Sequence, residues 1–165
     1  MSRMDSSSAN GAVAALTAAG VDFRLHQHPP ARNFDELHLT GLNIETSAKT
    51  LAFTLADGRV VLAAIPGTAR LRYPKLAAAL GVSRSALRPA DEDALAGLGM
   101  LPGGVAPFTT AEVTLLIERS LLDLPVLYCG GGSPELSVEL SPTALLEVMP
   151  GAVVADLCAD EPLAQ

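Results

Sequence analysis

The sequence predicts an α+β fold: one compact domain over residues 1–165, with a mixed, mostly antiparallel, barrel-like sheet surrounded by helices. Three observations lead there. Short apolar runs bounded by Gly, Pro and Asp recur along the chain, as strands do. Helical patterns are mixed among them, without the strict strand–helix alternation of a parallel sheet. The two strongest apolar runs, residues 49–55 and 59–65, are separated by Asp57-Gly58, a hairpin signature and hence a sign of antiparallel pairing. A chain of 165 residues suits one domain, and no internal repeat or linker divides it. Its apolar content is 49%, mostly Ala, Leu and Val, with four Phe, two Tyr and no Trp. Small aliphatics can fill a core at native density without large rings.

The elements follow in order. Residues 1–8 are polar and Ser-rich and are expected to fray, as are 159–165. Ser8 is placed to cap a helix that runs to Ala18 and closes at Gly20, with Val13 and Leu16 on one face. Residues 21–25 read as a short strand with Phe23 inward. Asn33 is placed to cap a second helix through Leu37 and Leu42, weakened by Gly41. After the hairpin, Pro66-Gly67 ends the second strand. Pro74 then opens a helix that stops at Gly81. Residues 90–98 form another helix behind Pro89, and 101–108 a Gly/Pro-rich loop. Residues 113–117 and 126–129 are strands around a turn at 118–124. Gly130-Gly131-Gly132 makes a second loop before an alternating strand at 136–140. Ser141-Pro142 starts a last helix to Val148, and 153–158 is a final short strand.

Composition narrows the function classes. No apolar run is long enough for a bilayer span. The N-terminus lacks the basic start and apolar stretch of a signal peptide. A cytoplasmic protein is expected, with Cys129 and Cys158 reduced. The net charge of −7 argues against a general nucleic-acid binder. Its distribution is uneven, however. Between Gly58 and Ala90 there is no acidic residue, and Arg59, Arg70, Arg72, Lys75, Arg84 and Arg88 give +6, leaving −13 on the rest. Such asymmetry guides a phosphate-bearing ligand to one face, or is simply a solvated surface.

Lys49 is the residue that most needs a reason. It is one of two lysines and opens an otherwise apolar strand. A cation at a strand end against a pocket suits an anionic ligand or a carbonyl gaining negative charge; the structural alternative is an edge lysine that snorkels to water. Two Gly/Pro loops, Gly103-Gly104-Val105-Ala106-Pro107 and Gly130-Gly131-Gly132-Ser133-Pro134, let backbone approach a ligand and present N–H groups. Taken alone they are also ordinary tight turns, and no Gly-Lys-Ser/Thr makes either a P-loop. His26 and His28 alternate on one strand face; without a third His or a nearby Cys they suit a surface or substrate-rim role better than a metal. Cys129 and Cys158 suit small core positions better than nucleophiles. No Gly-x-Ser-x-Gly elbow exists.

Taken in order, these pieces resemble the YbaK family, free-standing relatives of the prolyl-tRNA synthetase editing domain. The matching segments are Ala18-Ala19-Gly20-Val21-Asp22-Phe23, Ser47-Ala48-Lys49-Thr50-Leu51, the strand end at 61–67, Lys75-Leu76-Ala77-Ala78-Ala79-Leu80-Gly81, Pro102-Gly103-Gly104-Val105-Ala106-Pro107-Phe108, Gly130-Gly131-Gly132 and Leu140-Ser141-Pro142. The likeness spans residues 14–148. It implies hydrolysis of the ester joining an amino acid to the terminal adenosine of tRNA, without metal or organic cofactor. Lys49 matches the family's lysine, and Gly103 to Pro107 its substrate loop, with Gly103 and Gly104 assigned to catalysis. By analogy Thr50, Val105, Ala106, Pro107, Gly130, Gly131, Gly132, Ser133 and His28 line the substrate. Loop N–H groups and Lys49 would stabilise the oxyanion while water or a substrate group attacks, without a protein nucleophile.

The expected partner is the acceptor end of a mischarged tRNA, such as tRNA for proline carrying alanine or cysteine, held through Arg70, Arg72 and Lys75. An aminoacyl-tRNA synthetase is a further expected partner; a membrane is not. Residues 26–43 fit the family poorly, and the resemblance implies that this segment borders the amino-acid pocket. They motivate the competing reading, a non-catalytic module that senses an amino acid, a nucleotide or a protein. A small-ester hydrolase unrelated to tRNA is a third.

Overall fold

The computed structural model describes residues 10–30 and 44–158. The helix expected after Asn33, and the cap expected at Ser8, lie outside them. Helix α1, Gly11–Ala19, is capped by Asn10, whose side chain accepts from Val13 N, and ends at Gly20 in the left-handed region (φ 70°). Only glycine enters that region without steric cost. Strand β1, Arg24–Gln27, begins three residues later than expected, so Phe23 precedes it. A short 3-10 turn, Ile44–Thr46, leads into β2, Ala48–Leu55, and the hairpin to β3, Val60–Pro66, forms as the sequence predicts. Gly58 takes φ 94° at its turn. There the Arg59 N–H and guanidinium hold the Asp57 carboxylate below its usual range.

Helix α2, Tyr73–Leu80, has Pro74 in its first turn and Gly81 as its cap. A three-residue strand not foreseen, β4, Leu87–Pro89, pairs with the end of β2. It delays the next helix, α3, to Glu92–Gly97, because Asp91 is the residue whose carboxylate accepts from Ala94 N. Then come β5, Thr114–Glu118, a 3-10 turn, Arg119–Asp123, and β6, Leu127–Gly130. Strand β7, Leu136–Leu140, and helix α4, Pro142–Val148, fall where expected. Strand β8, Val153–Ala155, is shorter than the run predicted to Cys158.

The strands form two sheets, ordered β1-β7-β6 and β4-β2-β3-β5-β8. Pairs β3–β5 and β5–β8 are parallel and the other four antiparallel. This is the mixed, mostly antiparallel α+β domain the sequence predicts, with four α-helices among the described residues. The barrel is not closed: the sheets touch through one parallel bridge, Ser47 to Tyr128.

Strand β3 is the reason two cores exist. Val61, Leu62, Ala63, Ala64 and Ile65 are all fully buried, as a strand covered on both faces must be. Leu62 and Ala64 face Leu127, Val138 and Leu140 of the smaller sheet, with Leu16 of α1, Leu145 of α4 and Phe108 in the same cluster. Val61, Ala63 and Ile65 share the other face with Phe53, Leu55 and Leu116, under Leu76 and Ala77 of α2. Burying a Leu or Phe side chain contributes roughly 1.5–3 kcal/mol. No helix among the described residues is long and apolar enough to cross a membrane.

Candidate functional site

Strand alternation decides where Lys49 points. Ala48 and Ala52 pack in the core between the sheets, whereas Leu51, Phe53 and Leu55 pack beneath α2. Lys49 shares the second parity, so its side chain leaves the sheet on the outer face. It is half-buried there. The isolated parallel bridge from Ser47 to Tyr128 brings the start of β2 up to β6 at the seam of the two sheets. Gly130 in turn pairs with Ser137 of β7, and Ser137 with His26 of β1. Gly130, Ser137 and His26 thus occupy one row of the smaller sheet, and Lys49 stands two residues beyond the bridge that joins the sheets.

Gly130 has no side chain for a specific reason. A Cβ there would sit 2.4 Å from the Val105 carbonyl oxygen, which occupies the outer face over β6. A Cβ on Gly104 would meet the Ser133 backbone at 2.1 Å. The two glycine loops therefore pack directly on one another. Gly132 N donates to Gly104 O at 2.8 Å, and Leu101 N to Gly132 O at 2.9 Å. Gly131 N donates to Leu136 O, Gly104 N to Leu101 O, and Asn10 Nδ2 to Gly131 O.

This changes the expected division of labour. The N–H groups of Gly104, Gly131 and Gly132 already have acceptors inside the protein, so they are not free oxyanion donors. Ala106 and Pro107 are buried, with Ala106 N on Met100 Sδ, and they anchor their loop. Gly103 is exposed and Val105 half-buried. Thr50 does not accompany Lys49: it has the opposite parity, is buried, and its hydroxyl finds no hydrogen-bond partner among the described residues. Leaving a buried hydroxyl unpaired costs about 1–3 kcal/mol.

Near Lys49 stands a group of which sequence reasoning singled out Lys75 alone as a site residue. Glu118, buried at the end of β5, accepts from Leu157 N at 2.6 Å and Cys158 N at 3.2 Å through Oε1, and from Ser120 N through Oε2. Lys75 Nζ donates to the Cys158 carbonyl at 2.9 Å. Burial, then the Glu118 carboxylate, pushes the Cys158 thiol up to about 12, against a smaller opposing pull from Lys49 and Lys75. Burial alone does the same to Cys129. Neither is a thiolate at neutral pH. No cluster of three metal-ligating side chains occurs among the described residues.

The basic stretch is divided. Arg59 pairs with Asp57 at 2.9 Å. The Arg84 guanidinium lies 4.5 Å from the Tyr73 ring centroid, and Lys75 is tied to the C-terminal segment. Arg70 and Arg72 are exposed. His28, predicted at the substrate rim, bonds Ser137 Oγ through Nε2 at 2.7 Å. His26 bonds Glu139 Oε1 at 2.7 Å and meets Tyr128 edge-on. A separate groove of about 440 Å³ opens between Phe23, Arg24, Pro125 and Glu139, and it contains none of the predicted site residues.

Lys49, near the seam of the two sheets, and the two glycine loops packed on one another make up the candidate site. The comparisons give it a family. The aminoacyl-tRNA editing domain family matches residues 28–148, and the chain belongs to it. The uncharacterized protein YwhH of Bacillus subtilis (strain 168) is 28% identical over 121 residues, 73% of this chain and 76% of that protein. The crystal structure of the hypothetical protein APE2540 is similar at 32% identity and a TM-score of 0.74, covering 87% of this chain and 96% of that one. That of a proposed trans-editing enzyme for prolyl tRNA synthetase is similar at 27% identity and a TM-score of 0.76, covering 89% and 94%.

Proposed function

We propose that this chain is an aminoacyl-tRNA deacylase that acts in trans, hydrolysing the ester of mischarged tRNA, with tRNA for proline carrying alanine or cysteine as its substrate. The observation that carries the reading is Lys49, half-buried on β2 two residues beyond the bridge that joins the two sheets, in a chain of the editing family. An aminoacyl ester is already activated, so one well-placed cation goes far. The Lys49 ammonium holds the aminoacyl end and stabilises the negative charge that develops on its carbonyl oxygen. Gly103 and Val105 form the near wall, with Gly130 beneath it and Ser133 and His28 at the rim. A rigid pocket supplies the positioning that turns binding into rate. Its size discriminates among amino acids, as an editing site does. Arg70 and Arg72 meet the tRNA phosphates, so binding weakens as salt rises. An organic cofactor or metal has no step to perform. The reaction belongs in the cytoplasm, where an aminoacyl-tRNA synthetase supplies the mischarged substrate.

The test is a panel of mischarged tRNAs incubated with the protein while ester loss is followed. Accelerated hydrolysis of alanyl- or cysteinyl-tRNA for proline supports the reading. Binding of aminoacyl-tRNA with no acceleration for any member would instead favour a non-catalytic binding module, a reading for which the occupied glycine N–H groups speak.

A further inference from the structure

In a chain of net charge −7, a stretch of cations without one acid among them needs a reason. Arg70, Arg72 and Arg84 are exposed, and none has a carboxylate partner among the described residues. Like charges kept together repel, and an anion that joins them relieves the repulsion. Arg84 also has a place of its own. Its guanidinium lies over the Tyr73 ring, 4.5 Å from the centroid. The Tyr73 ring in turn meets Phe53 edge-on, with centroids 5.6 Å apart. Phe53 is buried, Tyr73 half-buried and Arg84 exposed, so the three rise from the outer face of β2 to solvent.

This pile continues the face that carries Lys49. Lys49, Leu51 and Phe53 share one strand parity, and the four residues from Lys49 to Phe53 span about 13 Å. The turn that leads to Arg70 is fastened beside the same strand: Gly67 N donates to Ser47 O at 2.9 Å, two residues before Lys49. Arg72 N donates to Leu157 O at 2.8 Å, and Leu71 bridges to Cys158, whose thiol feels the Lys49 charge. The start of α2 is therefore held in place between Lys49 and the Tyr73–Arg84 pair. Unpaired RNA bases stack on aromatic rings and guanidinium groups, while nearby cations take the phosphates.

We propose that Tyr73 and Arg84 form a stacking platform for an unpaired base of the RNA that carries the ester, with Arg70 and Arg72 on the flanking phosphates; the proposal rests on the reading of this chain as a tRNA deacylase. An arginine already held over a ring loses little freedom when a base joins it. The platform takes a base of any sequence, because every base has a π-face. It selects instead for an end whose last nucleotides are unpaired, as a duplex keeps its bases stacked on one another.

The test uses the full chain and an uncharged RNA hairpin with a short unpaired tail at its acceptor end, beside the same hairpin with a blunt end and free AMP. Affinity is read by fluorescence anisotropy, and a fluorescent adenine analogue in the tail reports stacking by quenching. The tailed hairpin should bind ~10-fold tighter than the blunt one, with its analogue quenched. Arg84→Lys keeps the charge and loses the guanidinium, and should lose both the preference and the quenching; Tyr73→Leu should do the same. Replacing Arg70 and Arg72 by Gln should weaken both hairpins alike and flatten the salt dependence. Melting curves check each fold, and the exposed Arg84→Lys carries the test if Tyr73→Leu does not fold. Equal affinity for the two hairpins, a preference unchanged in Arg84→Lys, or AMP competing as well as the tailed hairpin overturns the proposal. Deacylation of mischarged tRNA without a tail preference removes the platform alone. A tail preference with no mischarged tRNA deacylated removes the deacylase reading and leaves the RNA platform standing.

Discussion

The five-stranded and three-stranded sheets meet at Ser47 and Tyr128, and their outer faces differ in kind. Around Lys49 the larger sheet packs Leu51, Phe53 and Ile65 beneath α2, with the polar group of Glu118, Lys75 and the Cys158 backbone at its far side. The smaller sheet's outer face carries His26, His28, Ser137, Glu139 and Tyr128, all half-buried, with His26 bonded to Glu139, His28 to Ser137, and Tyr128 edge-on to His26. One face sets its few charges among apolar side chains; the other pairs polar groups with one another. The difference teaches that an apolar face and a polar one meet at the seam, near which the proposed lysine site lies.

The strongest way to break that comparison is to force the loops apart. Gly104→Ala places a Cβ 2.1 Å from the Ser133 backbone, which has no side chain to swing aside. A stability loss of about 1–3 kcal/mol by denaturant unfolding is expected, with deacylation falling further than stability explains. Removing the buried carboxylate is next: Glu118→Gln loses charge-assisted bonds to Leu157 N and Cys158 N, costing about 1.5–3 kcal/mol. The C-terminal segment should then show faster amide exchange at those two groups. A smaller effect of opposite sign is expected at Thr50, whose buried hydroxyl has no partner among the described residues. Thr50→Val removes an unsatisfied group at nearly constant shape, so the melting temperature rises by a few degrees.

The smallest effect separates the cysteines. Both thiols titrate near 12 in the folded chain against 9.0 for the free group. The unfolded chain loses these protons first, so their contribution to stability is complete below pH 9 and is lost as pH rises toward 12. A thiol reagent at pH 8 should leave Cys129 unmodified and react slowly with the less buried Cys158.

Local signals carried most of the fold. Asp57-Gly58, Pro74 with Gly81, and Ser141-Pro142 each mark a boundary by turn or cap chemistry acting within four residues, and the hairpin and two helices stand there. Strand β4 was missed because Leu87–Pro89 is too short to show alternation and exists only through its pairing with β2. At the site, Lys49 and the glycines were legible by residue type. Ser137 and Glu118 were not, because their partners lie 109 and 39 residues away in sequence. Nor was the occupation of the loop N–H groups, since Gly104 finds Gly132 only after β6 and β7 assemble.

The most direct test of the central claim compares wild type with Lys49→Ala and Lys49→Arg on the mischarged tRNA that the panel identifies, with melting curves taken in parallel. A loss of about 100- to 1,000-fold in deacylation by Lys49→Ala, partial retention by Lys49→Arg and unchanged melting are predicted, the magnitude being that of removing one group that stabilises an oxyanion. Deacylation by Lys49→Ala at the wild-type rate would contradict the account.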